Sequence, residues 1–313
     1  MWWGLVRRLL IFLVSTAVAS VVVFVLLTLV GDPARTALGT NATPEALAEM
    51  RHRMGLDRPV TTQFASWIGG MVHGDFGTSY VTHLPIGPQI GARLAVTMWL
   101  VAGGMAVALV VAIPMGTIAA LKHRTWAGWL LSSLSQVGIA VPAFLAGILM
   151  VALVSVELGW LPSGGFVVPA EDPGGFLARM ILPWLSLGLV QGAVLARYVR
   201  SAVLDEVGQD YLRTARAKGL TRWRATWRHG LRNAAIPVLT VIGVQLVTIL
   251  IGAVVVERVF VIPGIGSYLV DSVARQDRLA VQGIVVTIVA ISLAVSFVVD
   301  VAYTVIDPRL RRR

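Results

Sequence analysis

Long uncharged apolar runs recur along the chain, separated by short polar segments. A helix needs about 20 apolar residues to cross the hydrocarbon core of a bilayer. Six runs reach or approach this length; they cover residues 9–30, 94–121, 125–156, 180–196, 233–256 and 279–299. The third run is long enough to include a loop end or a strongly tilted helix. The pattern predicts an all-α integral membrane protein with six transmembrane helices.

The first apolar run is predicted to be a retained helix and not a cleaved signal peptide. Arg7 and Arg8 give it a basic start, and Ala17, Val18 and Ala19 resemble a cleavage site. The run nevertheless continues far past Ala19, whereas a cleaved signal ends its apolar region before the site.

Basic residues divide unequally between the two sides that six helices would define. The side of the termini holds 2 Lys/Arg before the first run, 2 at residues 122–124, 9 at 197–232 and 4 in the tail; the other side holds 9. Positively charged loops are retained in the cytoplasm, so both termini are predicted to be cytoplasmic. The net charge of +10 is then explained by orientation in the membrane and does not indicate nucleic-acid binding.

The segment at residues 31–93, on the opposite side, contains a predicted helix. Thr43 is a suitable N-cap, Pro44 fits the first helical position, and Gly55 is a suitable stop. This external segment is either a small cap over that face or a docking surface for an external partner, and its sequence favours neither.

Catalytic and metal-binding constellations are missing from the sequence. It has no cysteine, no P-loop motif and no H-E-x-x-H motif, and the five histidines all lie outside the apolar runs. We therefore predict a non-catalytic chain without a metal site or cofactor of its own.

A few polar or helix-disrupting residues interrupt the apolar runs. Amides in hydrocarbon need partners, so they are expected to face other helices or an aqueous path, and either is compatible with the sequence. The amides considered as path residues are Gln136, Gln191 and Gln245. Gly188 and Gly192 form a small-xxx-small packing pair. Kinks or helix ends are predicted at Pro114, Pro142 and Pro237.

The most informative stretch is the basic segment at residues 210–237. It holds seven Arg or Lys residues and one acid, Asp210. Charges at bilayer depth are costly, so this segment must be a loop outside the hydrocarbon. Residues 211–218 can form a short helix whose Ala215 and Ala217 permit close approach to a partner, and Gly219 can end it with a positive φ. The same loop could instead rest on anionic lipid.

Several sequence blocks resemble the dipeptide/oligopeptide/nickel branch of ABC importer permeases over nearly the whole chain. DYLRTARAKGL at residues 210–220 is similar to the cytoplasmic loop of that branch, although Arg213 and Thr214 stand where the general E-A-A-x-x-x-G motif has Glu and Ala. Other similar blocks resemble its B-type subunit; they are MGLDRPVTTQFASWI at 54–68, GDFGTSY at 74–80, ERVF at 257–260, PGIG at 263–266 and DPR at 307–309.

The resemblance implies a type I ABC importer permease in a bacterial inner membrane. Its parts would be a cytosolic N-terminus and first helix at 1–30, the external segment at 31–93, a five-helix core at 94–306 with a cytoplasmic coupling loop at 200–232, and a basic cytosolic tail at 307–313. The residues implied to couple to the ATPases are Tyr211, Arg213, Thr214, Ala215, Arg216, Ala217, Lys218 and Gly219. The residues expected to contact a binding protein, or else the mouth of the path, are Phe260, Pro263, Gly264 and Gly266.

The implied partners are a second related permease, two ATPase subunits that use ATP and Mg²⁺, and an external substrate-binding protein. The implied function is import of di- or oligopeptides by alternating access, with the path between the two permeases. Permeases of this family for nickel chelates, glutathione or haem are alternatives, because the binding protein largely selects the substrate. A stand-alone secondary transporter is a further alternative, although the apolar runs lack the ionisable groups expected of one.

Overall fold

The computed structural model describes residues 2–29, 33–38 and 43–306, and these residues are almost entirely helical. They form thirteen α-helices, with π-helical turns at Val151–Glu157 and Thr226–Gly230, and their strand-like pairing is limited to an isolated bridge between Thr78 and Pro85. The helices are α1 (Trp2–Leu29), α2 (Pro33–Leu38), α3 (Pro44–Arg53), α4 (Val60–Val72), α5 (Ile86–Leu121), α6 (Trp126–Ala140), α7 (Ala143–Met150), α8 (Pro173–Val207), α9 (Asp210–Ala217), α10 (Arg222–Ala225), α11 (Leu231–Val259), α12 (Ile265–Ala274) and α13 (Arg278–Ile306). The predicted tail at 307–313 lies outside the described residues.

Five segments in the described chain are long and apolar enough to cross a membrane: Val6–Leu26, Ile86–Leu121, Pro173–Val207, Arg222–Val259 and Arg278–Val299. The remaining apolar run is a bent pair, Trp126–Ala140 and Ala143–Glu157, whose halves meet at 95°. The six predicted transmembrane helices therefore correspond to five continuous candidate spans and one bent pair, which is either a broken span or a re-entrant loop.

Proline explains the break, but not every proline ends a helix. Pro142 has no N–H to donate and disfavours helical geometry in the residue before it, and Val141 is accordingly extended at φ −89° and ψ 119°. The predicted helix end is therefore confirmed at Pro142. Pro114 and Pro237 instead lie inside α5 and α11.

The predicted start and stop of the external helix are confirmed. The Thr43 side chain accepts a hydrogen bond from the Ala46 backbone N–H at 3.3 Å, and Pro44 is the first residue of α3. Gly55 follows the helix with a φ of 65°. This local sequence determines its own structure because capping requires only neighbouring atoms.

One compact unit contains residues 1–5, 97–263 and 295–313, and α8 lies at its centre. This helix packs against α6, α7 and α11, and it buries Leu187, Leu195 and Ala196. The predicted packing pair on α8 is confirmed, because a Cβ on Gly188 would come within 2.5 Å of Val107 and one on Gly192 within 3.2 Å of the Ala108 carbonyl. Val107 and Ala108 belong to α5, so these small residues bring the backbones of α8 and α5 close together.

The other compact unit contains residues 6–96 and 264–294. Its core is an aliphatic cluster that includes Ile86, Ile90, Ile265 and Ile284. The buried Ser79 hydroxyl donates to Asp277, whose carboxylate also accepts from the Ala280 backbone N–H at the start of α13. This contact joins the loop before α5 to the start of α13.

Candidate functional site

The short helix α9 forms where the basic loop was predicted to be helical, within one residue at each end. Asp210 occupies the first turn, where its charge complements the helix dipole, and it pairs with Arg213 at 3.3 Å. The helix follows α8 after Gly208 and Gln209, so it leaves the end of a candidate membrane span directly.

One side chain fixes α9 to the rest of the loop. Leu212 is only 2 % exposed, and a Cβ placed on Gly230 would lie 3.4 Å from its Cδ1. The helix also packs against α10 and the π-helical turn Thr226–Gly230, which lead directly into α11. Most of the other implied coupling residues are exposed, and Ala215 is half-buried.

The end of α9 depends on glycine, as the sequence predicted. Gly219 has a φ of 93°, which a side chain with a Cβ disfavours. Its N–H donates to the Arg216 carbonyl at 2.9 Å, and the Leu220 N–H donates to the Ala215 carbonyl at 3.3 Å. The chain can therefore turn sharply and begin α10, which Thr221 caps through the Arg224 N–H.

A side-chain hydrogen bond connects α9 back to the end of α8. The Tyr211 hydroxyl donates to the Glu206 carboxylate. Burial, followed by this hydrogen bond, raises the pKa of Tyr211 to about 12. The phenol therefore remains protonated near neutral pH and keeps its donor role.

The surface beside α9 is basic and aromatic. Trp223 and Trp227 stack with ring centroids 5.6 Å apart, and they are 47 % and 48 % exposed. Arg222, Arg224 and Arg228 lie on the same segment and are also exposed. Such a surface can contact an acidic protein face or lipid headgroups, so it does not by itself separate the two interpretations of the loop.

The three predicted path amides occupy different surroundings. Gln191 on α8 and Gln245 on α11 are buried, whereas Gln136 on α6 is exposed. The Gln191 Oε1 atom is buried and has no hydrogen-bond partner among the described residues. All three belong to the unit built around α8.

The loop after α11 is more enclosed than its glycines and proline suggested. Phe260 is fully buried, and its carbonyl accepts from the Gly165 N–H at 2.7 Å. Gly264 and Gly266 are also buried, which leaves Pro263 as the exposed member of the four residues expected to contact a binding protein. Val261, with a φ of 52°, is 77 % exposed beside it.

Glu257 is a buried acid that the sequence did not single out. It is fully buried on α11 and accepts a hydrogen bond from the Thr97 hydroxyl. Its position directly after an uncharged apolar run was the available signal, although such a position more often lies outside the membrane. No group of three or more His, Asp or Glu side chains within the described residues could hold a metal ion.

Comparison with known proteins identifies the class that this helical arrangement represents. Residues 112–312 match the family described as "Binding-protein-dependent transport system inner membrane component", and residues 1–101 match the N-terminal model of such membrane components. A putative peptide transport system permease of Brucella abortus is 38 % identical over 295 residues, which cover 94 % of each chain. The glutathione transport system permease GsiC of Escherichia coli K12 is 38 % identical over 307 residues, which cover 98 % of each chain.

The fold is similar to that of a solved importer. An inward-facing structure of the MetNI methionine ABC transporter matches with a TM-score of 0.56 at 15 % identity, over 70 % of this chain and 96 % of the other. This likeness concerns the fold alone.

The chain belongs to the binding-protein-dependent family of ABC importer permease subunits. It is a multi-pass protein of the bacterial inner membrane, as the sequence blocks indicated. Subunits of this family are transmembrane permeases of ABC importers and work with ATPase partners.

Proposed function

We propose that the chain forms half of the translocation path of an ATP-driven peptide importer and that α9 couples it to the ATPase partners. The observation that carries the coupling proposal is the form of α9: a short helix held by Leu212, ended by Gly219, and exposing Arg213, Arg216 and Lys218. A rigid helix that enters a partner's groove can transmit movement, whereas a flexible basic loop cannot.

The contacts of α9 suggest how movement would reach the membrane. A force on α9 would act through Leu212 on the π-helical turn at Thr226–Gly230, and that turn continues into α11. A second connection runs from Tyr211 to Glu206 at the end of α8. Displacement of α9 would therefore shift the ends of two helices that pack against each other.

The proposed assembly contains a second related permease, two ATPase subunits and an external binding protein. ATP and Mg²⁺ would be used by the ATPases, and this chain would contribute neither a catalytic group nor a cofactor. Val261 and Pro263 offer the exposed part of the loop at 260–267, so contact with the binding protein is proposed there. Phe260, Gly264 and Gly266 would support the shape of that loop from within.

Peptides are the proposed substrate class. The relatives named for peptide transport and for glutathione transport have the same identity to this chain, 38 %, so both di- or oligopeptides and glutathione are candidates. Gln191 and Gln245 are proposed to face the path, with the Gln191 Oε1 available to accept from a substrate N–H. Nickel chelates and haem remain alternative substrates.

The coupling proposal is tested by substitutions on α9 compared with substitutions beside it. Ala215→Glu places a charge in a half-buried position, and Gly219→Val places a β-branched residue at a φ of 93°. Each is expected to abolish ATP-driven uptake and co-purification of the ATPases, because a misfit in a packed contact costs roughly 1–3 kcal/mol. Membrane insertion, measured by the amount of full-length chain in the membrane fraction, should be unchanged.

The matched comparison is the double variant Arg222→Ala/Arg224→Ala. If the loop only rests on anionic lipid, this variant should impair transport more than Ala215→Glu does. Near-wild-type uptake and ATPase association in both α9 variants would rule out residues 213–219 as the coupling element. Uptake that persists without ATP would overturn the proposal of an ATP-driven importer.

A further inference from the structure

A cavity of about 290 Å³ lies within the unit formed by residues 6–96 and 264–294. Its walls come from α1, α4, the loops on either side of α4, and the start of α13. It is distinct from α9 and from the proposed path amides, all of which belong to the other unit.

An unsatisfied donor lies at the wall of this cavity. Gln282 is 2 % exposed, and its Nε2 atom is buried without a hydrogen-bond partner among the described residues. Buried amide groups are almost always paired. A ligand oxygen inside the cavity would supply the missing acceptor.

The charges around the cavity indicate the kind of ligand. Arg58 and Arg278 provide guanidinium groups that suit a phosphate, and Asp75 adds a carboxylate to the lining of the same cavity. One Asp75 oxygen accepts from the Gly77 N–H at 2.8 Å, which leaves its second oxygen for a cation. A carboxylate would repel a purely anionic ligand, so this arrangement favours a zwitterion that carries a phosphate and an ammonium group.

The position of the cavity favours a lipid over a soluble zwitterion. Phe24 lies two residues before the end of the candidate span Val6–Leu26, and Arg278 is the first residue of Arg278–Val299. Both line the cavity, which therefore lies at the depth where these spans end. Phe24 and Trp67 pack with centroids 5.5 Å apart, and aromatic side chains are enriched at this depth. Along α1, Val18, Val21, Val22 and Val25 are exposed and could lie along an acyl chain.

We propose that this cavity binds the headgroup of a zwitterionic aminophospholipid such as phosphatidylethanolamine. The phosphate lies against Arg58, Arg278 and Gln282, and the ammonium group lies against Asp75. The acyl chains follow the exposed apolar face of α1. Bound lipid would thereby hold the external segment against the bilayer surface.

The test is native mass spectrometry of the full chain, purified with its partner subunits in detergent and supplied with phosphatidylethanolamine or phosphatidylglycerol. Wild type should retain phosphatidylethanolamine. Arg58→Ala combined with Gln282→Leu should lower retention about tenfold, because a hydrogen bond to a charged group is worth roughly one decade of affinity or more. Arg275→Ala, an exposed arginine close to Arg278 that does not line the cavity, is the matched control and should retain lipid as wild type does.

A second variant tests the position of the ammonium group, and its readout is a change in lipid preference instead of a loss of binding. Asp75→Asn should shift the preference from phosphatidylethanolamine toward phosphatidylglycerol, since the carboxylate that repels an anionic headgroup is removed. Equal retention in wild type and in the Arg58→Ala/Gln282→Leu variant would overturn the proposal. Displacement of the lipid from wild type by a millimolar dipeptide, with dipeptide binding lost in the Arg58→Ala/Gln282→Leu variant, would also overturn the proposal. That result would assign the cavity to a soluble peptide.

Discussion

At the residue scale, Gly164 determines how the loop before α8 meets the loop after α11. A Cβ on Gly164 would lie 2.0 Å from the carbonyl oxygen of Phe260, a distance that backbone atoms cannot accommodate without moving. The Gly165 N–H donates to the Phe260 carbonyl across this contact, and the Arg179 guanidinium on α8 donates to the Gly164 carbonyl at 2.7 Å. A missing side chain and one hydrogen bond therefore fix the junction, and a second hydrogen bond holds its Gly164 side to α8.

Gly164→Ala is expected to destabilise the protein because either the loop or Phe260 must shift. Overpacking of this kind costs about 1–3 kcal/mol. Thermal unfolding of the purified protein should show a lower Tm. Gly69→Ala is the control, because a Cβ there meets nothing within 4 Å and α4 favours alanine. Equal Tm values for the two variants would show that the junction adapts without cost.

Residues differ in how much of their environment their neighbours specify. Gly219 was predicted to take a positive φ because helix ends use local atoms, and its φ of 93° confirms this. The burial of Glu257 could not be read in the same way, since its partner Thr97 is 160 residues away. The burial of Phe260 likewise depends on Gly147 and Gly164, which belong to other segments.

At the element scale, the bounds of α9 depend on neighbouring residues, whereas the bend of the pair α6 and α7 depends also on distant ones. The bounds of α9 follow from its own composition and were predicted within one residue. Pro142 indicated a break in the third apolar run, but the 95° angle does not follow from the proline. That angle is compatible with the packing of both α6 and α7 against α8, which brings in a segment that the run itself does not contain.

Leu212→Ala should loosen α9 from the loop that follows it. Truncation of a buried leucine costs roughly 2–5 kcal/mol, which is enough to raise the opening of a single short helix substantially. Limited trypsin digestion should therefore cut faster at Arg213, Arg216 and Lys218. Thr214→Ala changes an exposed position on the same helix and should leave the rate unchanged. If both variants are cut at the wild-type rate, Leu212 does not hold α9.

At the scale of the whole molecule, the broken span decides the orientation of everything that follows it. If residues 126–157 cross the membrane, the chain has six crossings and both termini lie on one side. If they enter and leave on one side, five crossings remain and the loop at 208–221, which carries α9, changes sides. Length and composition permit both arrangements.

The distribution of basic residues favours six crossings. A re-entrant pair would place the 9 Lys/Arg of residues 197–232 on the side opposite the N-terminus and its 2 arginines. The positive-inside rule opposes this, because short loops rich in Lys and Arg are retained in the cytoplasm. It would also move α9 away from any cytoplasmic ATPase, so the topology and the coupling proposal depend on each other.

Reporter fusions separate the two arrangements. Fusions after Arg124, Arg228 and the C-terminal Arg313 are expected to report a cytoplasmic location, and those after Arg58, Asp172 and Arg275 an external one. The fusion after Asp172 is the most informative, because it is the first one after the bent pair. The fusions after Arg58 and Arg124 precede the bent pair, so they should report the same location in both arrangements. A cytoplasmic reading at Asp172 together with an external reading at Arg228 would establish a re-entrant pair. It would also remove α9 from the cytoplasm and leave the basic segment without the partner proposed for it.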